Sequence, residues 1–328
     1  MQKKRVLSGT RATGRLHLGN YLGAVKGMLA LQDNPDYETY YMVADFHSIN
    51  TSYEPKELAK ETREVVLDYL AAGIDPQKST IFVQSQVPEH IELSYLFSTV
   101  ISVARAFHLP TYKEKVKLQP QNVNMALLYY PILMAADILI YKANAVPVGD
   151  DQLPHLEIAR EVARKMNNKY GLDFPEPKQY KTKGYKIPSL LGVGKMSKSV
   201  EGSYIDLTDD LKTIKEKLAK NPTDKGKGDE IPTKGGVATL LSLVDIFEGE
   251  EKKKKYEKAY LSSGIHYKEL KEELAEAIYE ELAPIQKKRA LFEKDADKVD
   301  KILAEGAERA SKVAKATLVE VRKAMGLV

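Results

Sequence analysis

Across the first two thirds of this 328-residue chain, short unbroken apolar segments alternate with amphipathic ones at helical spacing, and that alternation restricts the fold more than any other feature. The apolar segments are Arg5–Ser8, Thr39–Ala44, Thr80–Gln84 and Ala145–Val148. Helical patterns lie between and after them at Tyr21–Leu31, Pro55–Ala72, Glu89–Ala106, Met125–Tyr141 and Pro154–Asn167. A strand covered on both faces reads as a continuous apolar run, so the pattern predicts a doubly wound parallel sheet with helices on either side. Beyond residue 205 only helical patterns remain, at Asp209–Lys220, Val237–Phe247, Lys252–Leu261, Tyr267–Lys294 and Lys298–Ala324. We therefore expect an α/β domain over 1–205 and a smaller all-helical domain over 206–328, whose last helix could pack back on the first domain.

Composition narrows the chemistry. Without cysteine there can be no disulfide, thiolate nucleophile, zinc finger or iron–sulfur cluster. Six histidines show no His-x-x-x-His spacing, so no structural metal is expected. A net charge of +4 permits a nucleic-acid partner without requiring one. The N-terminus lacks an apolar leader, and the apolar window Met125–Ile140 is short and holds Pro131 and Asp137, so no membrane partner and a cytoplasmic location are expected.

Two segments carry phosphate chemistry. In Lys195-Met196-Ser197-Lys198-Ser199, flanked by Gly192, Gly194 and Gly202, two ammonium groups ride on a glycine-bounded loop. Lysine is a compact charge on a flexible stem, able to follow a phosphate during reaction. The second segment, Ser8-Gly9-Thr10-Arg11-Ala12-Thr13-Gly14-Arg15, looks like a P-loop, but Arg15-Leu16 replaces its Lys-Ser/Thr pair. What remains is a glycine-rich turn after the first strand, then His17 and Asn20 at a helix start. Free N–H groups and the helix dipole there favour phosphate, although Asn20 as a cap and His17 as a packed side chain fit equally well when taken alone.

Together, His17-Leu18-Gly19-Asn20 and Lys195–Ser199 resemble the two ATP signatures of class I aminoacyl-tRNA synthetases, with Asn20 in place of a histidine as in the tryptophanyl branch. The resemblance covers essentially the whole chain and implies a Rossmann-like catalytic domain followed by an anticodon-binding helical domain. It makes His17, Asn20, Lys195 and Lys198 phosphate donors. It adds nucleotide contacts from Gly9, Arg11, Thr13 and Gly19 on the N-terminal side, and from Met196 and Ser197 on the lysine loop. Arg11 stands where many relatives have glutamine, which leaves its role open.

Asp137 lies in an almost wholly apolar run with no cation within four positions. A buried carboxylate needs a partner, which could be a remote donor or a ligand. Tyr130, Met134 and Asp137 recur at helical spacing along one face, a thioether beside an acceptor, which suits an aromatic ring bearing an N–H. The strip Tyr130–Leu139 resembles the tryptophanyl amino-acid pocket, where the aspartate accepts the indole N–H and the methionine packs on the ring. The tyrosyl relatives usually carry glutamine at the place of Met134.

Pro147-Val148-Gly149-Asp150-Asp151-Gln152 follows the fourth strand, where open α/β sheets bind ligands, although an aspartate there could simply cap the next helix. The resemblance assigns Gly149 and Asp151 to ATP and Gln152 to ATP and the amino acid. It also implies a phosphate contact from Lys115 in Thr111–Lys115, and amino-acid contacts from Leu7 and His47. From the residues alone, Lys115 could sit on a solvated turn and His47 could be a packed side chain. Lys252–Lys255 and Lys287–Arg289 could touch tRNA phosphates or only solvate a helix face.

The implied activity is ATP-dependent activation of tryptophan and its transfer to tRNA(Trp), with Mg2+ on the pyrophosphate side and a homodimer as the working unit. Alternatives are the tyrosyl enzyme, a nucleotidyltransferase of related fold, and a non-catalytic paralogue sensing an amino acid.

Overall fold

A computed structural model describes residues 3–118, 120–181, 187–198 and 200–327. Five parallel strands form one sheet: β1 (Lys4–Arg11), β2 (Tyr37–Ala44), β3 (Ser79–Val83), β4 (Ala145–Val146) and β5 (Lys178–Gln179). Their spatial order is β3-β2-β1-β4-β5, so the direction of winding reverses between β1 and β4. Those two strands pair only at Val6 and Ala145, then part, which opens a crevice at their carboxyl ends.

Side chains alternate across the strands and feed two cores. Tyr41, Val43, Ile81 and Val83 point to one face, and Leu7, Tyr40, Met42 and Phe82 to the other. The first face is covered by α1 (Leu18–Asn20), a π-turn (Tyr21–Val25), α2 (Lys26–Gln32) and α3 (Pro55–Ala72). The second is covered by α4 (Glu89–Ser98), α6 (Pro110–Leu118), α7 (Met125–Ile140) and α8 (Leu153–Tyr170), with α5 (Val103–Phe107) packed outside on α7. The rest is helical: α9 (Leu211–Ala219), α10 (Gly235–Glu248), α11 (Glu250–Leu261), α12 (Tyr267–Lys294) and α13 (Ala296–Ala324). Leu240, Leu274 and Leu303 join the first core, so apolar packing is continuous across residue 205. Ala310, Ala314 and Leu318 of α13 join the second core, to which Phe82 also belongs. At Gly306 the backbone of α13 lies so close to β3 that an added Cβ would fall 1.7 Å from the Ile81 carbonyl oxygen. This helix shields the edge strand β3 from further pairing.

The elements differ from the sequence expectation in four places. β1 continues through Gly9, Thr10 and Arg11, which pair with Met42, Val43 and Ala44; pairing with β2 overrides the glycine signal for a turn. The pattern Glu89–Ala106 is two helices, because the hydroxyls of Ser94, Ser98 and Thr99 bond back to carbonyls three residues earlier and Ser102 caps a new start. Thr111–Lys115 is helical rather than a turn. β5 is additional, and two polar residues held by β4 give no apolar pattern to read. Among the described residues no helix is long and apolar enough to cross a membrane.

Candidate active site

The crevice between β1 and β4 holds a cavity of about 570 Å³. Leu7, Gly9 and Arg11 reach it from β1, His47 from the segment after β2, Lys115 from α6, and Tyr130, Met134 and Asp137 from one face of α7. Asp151, Gln152 and Lys195 close its far side.

Asp137, 1% exposed, is the most constrained group in the wall. Its Oδ1 accepts from Gln84 Nε2 at 2.7 Å and His90 Nδ1 at 2.6 Å, and its Oδ2 accepts from His47 Nε2 at 2.8 Å. Burial alone would raise this carboxyl, but hydrogen bonds and charge from His47 and His90 bring it down to about 2. It is therefore an acceptor at neutral pH, and Oδ2, with one protein donor against two on Oδ1, keeps room for a ligand N–H. Behind it His90 Nε2 meets the Tyr141 hydroxyl at 2.8 Å. The sequence left the partner of Asp137 open between a remote donor and a ligand, and did not point to Gln84 or His90, neither of which lies in a motif.

A second network holds the mouth. His155 Nδ1 lies 2.9 Å from Gln152 Oε1, and its Nε2 lies 2.6 Å from the Tyr130 hydroxyl and 2.9 Å from that of Thr111. Burial, then Lys115 and His47, lower His155 to about 4, so its ring is neutral. With a carbonyl oxygen facing Nδ1, that nitrogen donates and Nε2 accepts. Gln152 in turn donates to Asp151 Oδ2 at 3.0 Å. Gly149 leaves space for Asp151, whose Oδ1 would sit 2.6 Å from an added Cβ. Lys115 stands 3.8 Å above the Tyr130 ring; burial first, and then Arg11, lower its ammonium to about 8. Sequence reasoning missed His155 and Thr111 as site residues, although His155 follows Gln152 at i+3 on a common face.

The two segments expected to bind phosphate meet beside this cavity, whose wall Lys195 joins. His17 caps α1: its Nδ1 accepts from the Asn20 backbone N–H at 3.2 Å, and Asn20 Oδ1 accepts from the His17 N–H at 3.1 Å. The capping and phosphate readings of this pair are therefore compatible. Burial, then Lys198 and Lys195, lower His17 to about 4, so at neutral pH its single ring proton lies on Nε2, the nitrogen opposite the cap. Gly19 is required here, since a Cβ would lie 2.9 Å from His17 Cε1 and 3.3 Å from Met196 Cβ. Lys198 Nζ donates to the Thr13 carbonyl at 3.0 Å, closing the lysine loop onto the turn before His17.

Two expectations are corrected. Met196 is buried in the first core and bonds Ile187 through its N–H, so its side chain anchors the loop rather than lining the cavity. Arg289 is no solvating or phosphate-seeking residue: it is buried and paired with Glu64, Asp68 and Glu293. Ser197 is tied to Ser203 through its N–H and carbonyl, and Ser199 lies outside the described residues. Lys252, Lys253 and Lys254 pair with acids of the helical region.

The family model described as tRNA synthetases class I (W and Y) matches residues 1–283. The chain is 41% identical to the tryptophan–tRNA ligase of Porphyromonas gingivalis over 98% of both chains. It is equally identical to that of Thermotoga maritima over 99% of both. A solved tryptophanyl-tRNA synthetase from Campylobacter jejuni, complexed with ADP and tryptophan, superposes with a TM-score of 0.86 at 30% identity, covering 98% of this chain and all of that one.

Proposed function

The chain belongs to the tryptophanyl and tyrosyl family of class I tRNA synthetases, and on that premise we propose that it activates tryptophan with ATP and transfers it to tRNA(Trp). Asp137 carries the choice of amino acid. A buried, ionised acceptor with an open lone pair, beside the thioether of Met134, suits an indole N–H. Amino acids without a donor there leave the open Oδ2 position of a buried, ionised carboxylate unfilled, which discriminates against them without editing.

The tryptophan carboxylate is already ionised and needs no general base. One of its oxygens attacks the α-phosphorus of ATP, the bond to the bridging oxygen breaks, and pyrophosphate leaves, giving tryptophanyl-adenylate. A ribose hydroxyl of the terminal adenosine of tRNA then attacks the anhydride carbonyl, the bond from the carbonyl carbon to the phosphate oxygen breaks, and AMP departs with the hydroxyl proton passing to its phosphate. Charge placement does the work in the first step. His17 Nε2–H, the Asn20 amide, Lys195 and Lys198 donate to the phosphates, and Asp151 accepts from the ATP ribose. Mg2+ accompanying ATP would offset charge on the leaving pyrophosphate. Lys115 and Arg11 add positive charge at the mouth, where carboxylate and α-phosphate must meet.

We assign residues 206–328 to tRNA recognition and a second copy of the chain to a working homodimer. The dimer is supported by exposed apolar side chains on neighbouring helices: Tyr95 at 68%, Val103 at 65% and Met125 at 74% exposure. The test is amino-acid-dependent exchange of labelled pyrophosphate into ATP without tRNA. Exchange with tryptophan alone is the expected result. Exchange with tyrosine alone would retain the chemistry and overturn the pocket, and none with either would move the reading to an amino-acid sensor.

A further inference from the structure

The buried Arg289 is unexplained by the reaction above. It lies on α12, 2% exposed, and its guanidinium donates to the carboxylates of Asp68 and Glu64 on α3, to the Glu64 carbonyl, and to Glu293 one turn along. Those acids do not end the chain of contacts. Asp68 Oδ2 accepts the Leu16 N–H at 2.5 Å, and Glu64 Oε2 accepts from Arg15 Nε at 2.8 Å. Arg15 and Leu16 are the residues immediately before the His17 cap.

The other side of the same strap is held from the same helix. Leu16 and Leu18 bond residues 205–207 through Leu207 N–H to Leu16 O at 3.1 Å and Leu18 N–H to Ile205 O at 2.8 Å. Gln286, three residues before Arg289 on the same face of α12, donates to the carbonyls of Leu207 at 2.9 Å and Asp209 at 2.8 Å. Residues 205–207 close the lysine loop that carries Lys195 and Lys198. Earlier on α12, Glu281 accepts from Tyr21 and pairs with Lys26, just past the capped turn.

We propose that Arg289 and Gln286 are positioning residues for ATP. From the helical region they fix the His17 strap and the end of the lysine loop against each other, so that the docking of α12 sets the geometry of the phosphate grip. This rests on the reading of His17 and the two lysines as the ATP contacts. The physical basis is that a guanidinium fork holds two carboxylates in a fixed relation, and a small misplacement of groups that stabilise a phosphate transition state costs heavily in rate. Burial pushes Asp68 up to about 6 despite Arg289 and the Leu16 N–H, so without that cation the strap would lose an ionised acceptor.

Arg289→Met would leave the buried Asp68 without a counter-charge, Glu64 keeping Arg15, and could fail to fold. The test therefore uses Arg289→Lys, which keeps the charge but not the fork, and Gln286→Leu. Folding is checked by circular dichroism and urea melts. For folded protein we expect about a 10-fold loss in kcat/KM for ATP in pyrophosphate exchange for Arg289→Lys, and a loss of about 3-fold or more for Gln286→Leu. The KM for tryptophan should stay within about 2-fold, because Asp137 shares no bond with the tie. Equal losses for both substrates, or an unchanged ATP parameter in both variants, would overturn the proposal. Equilibrium binding of ATP alone separates this outcome from failure of the functional reading. A wild type that binds ATP but exchanges with no amino acid contradicts the function, whereas variants that bind ATP as the wild type does and lose no rate contradict the tie.

Discussion

Replacing Asp137 separates the pocket's two roles, in folding and in recognition. In Asp137→Ala, the Gln84 and His90 donors, both fully buried, lose their acceptor. Each orphaned donor costs about 1–3 kcal/mol, so stability falls by roughly 2–6 kcal/mol, a large part of a typical total. Kinetics are therefore read in Asp137→Asn, which keeps the volume and one carbonyl oxygen. That oxygen can serve Gln84 and His90, but the amide then presents N–H groups toward His47 and the ligand, where Oδ2 stood. Losing a charge-assisted bond to the indole N–H is worth about 1.5–3 kcal/mol, which converts to roughly a 10- to 150-fold fall in kcat/KM for tryptophan. The KM for ATP should remain within about 2-fold, since the strap bearing His17 makes no bond to Asp137. Pyrophosphate exchange, with each substrate varied in turn and urea melts in parallel, measures all three quantities. Equal losses toward tryptophan and ATP, or full tryptophan activity in a folded Asn variant, would refute the assignment.

The lysine loop gives a second expectation: Lys195→Ala lowers the single-turnover rate of adenylate formation about 100-fold while tryptophan affinity by equilibrium titration hardly changes, and a purely weakened ground state would contradict it. Gly306→Ala drives a methyl into the Ile81 carbonyl, so the urea midpoint should fall by the equivalent of about 2–3 kcal/mol, whereas an unchanged midpoint would show that α13 is not seated on β3. His17 and His155 should make acid destabilise the fold between about pH 6.5 and 4, with Asp68, raised to about 6, opposing them. His17 and His155, both lowered to about 4 in the folded state, bind protons more readily when unfolded, so stability rises with pH through that window, by at most roughly 3 kcal/mol per group. Urea melts of His155→Gln should show a shallower slope there, and an unaltered slope would count against a neutral, buried His155.

The layered α/β plan was legible because it depends on local quantities, namely apolar runs too continuous for anything but strands covered on both faces, and a switch to helical period alone after residue 205. Tyr267–Lys294 was readable to its end residues because Leu270, Leu274, Ile278, Leu282 and Ile285 recur at helical spacing on both sides of Pro284. The segment at His17–Asn20, the lysine loop and the carboxylate on α7 stood out for a related reason: their residue types sit where bare composition would not put them, such as a cation pair between glycines and an acid in an apolar run.

Contacts between segments distant in the chain were not legible. Nothing near Asp137 announces Gln84 or His90, and β5 exists only because β4 offers a backbone to pair with. Arg289 reads from sequence as one more cation in a basic stretch, and only the packing of α12 on α3 turns it inward against Asp68 and Glu64. Sequence alone showed that a group such as Asp137, an acid in an apolar run, had to be satisfied, since burying an unpaired charge is costly wherever it occurs. Which partner satisfies each one was decided by the tertiary structure, because hydrogen bonds act over about 3 Å and only the folded chain brings residues 16, 68 and 289 that close.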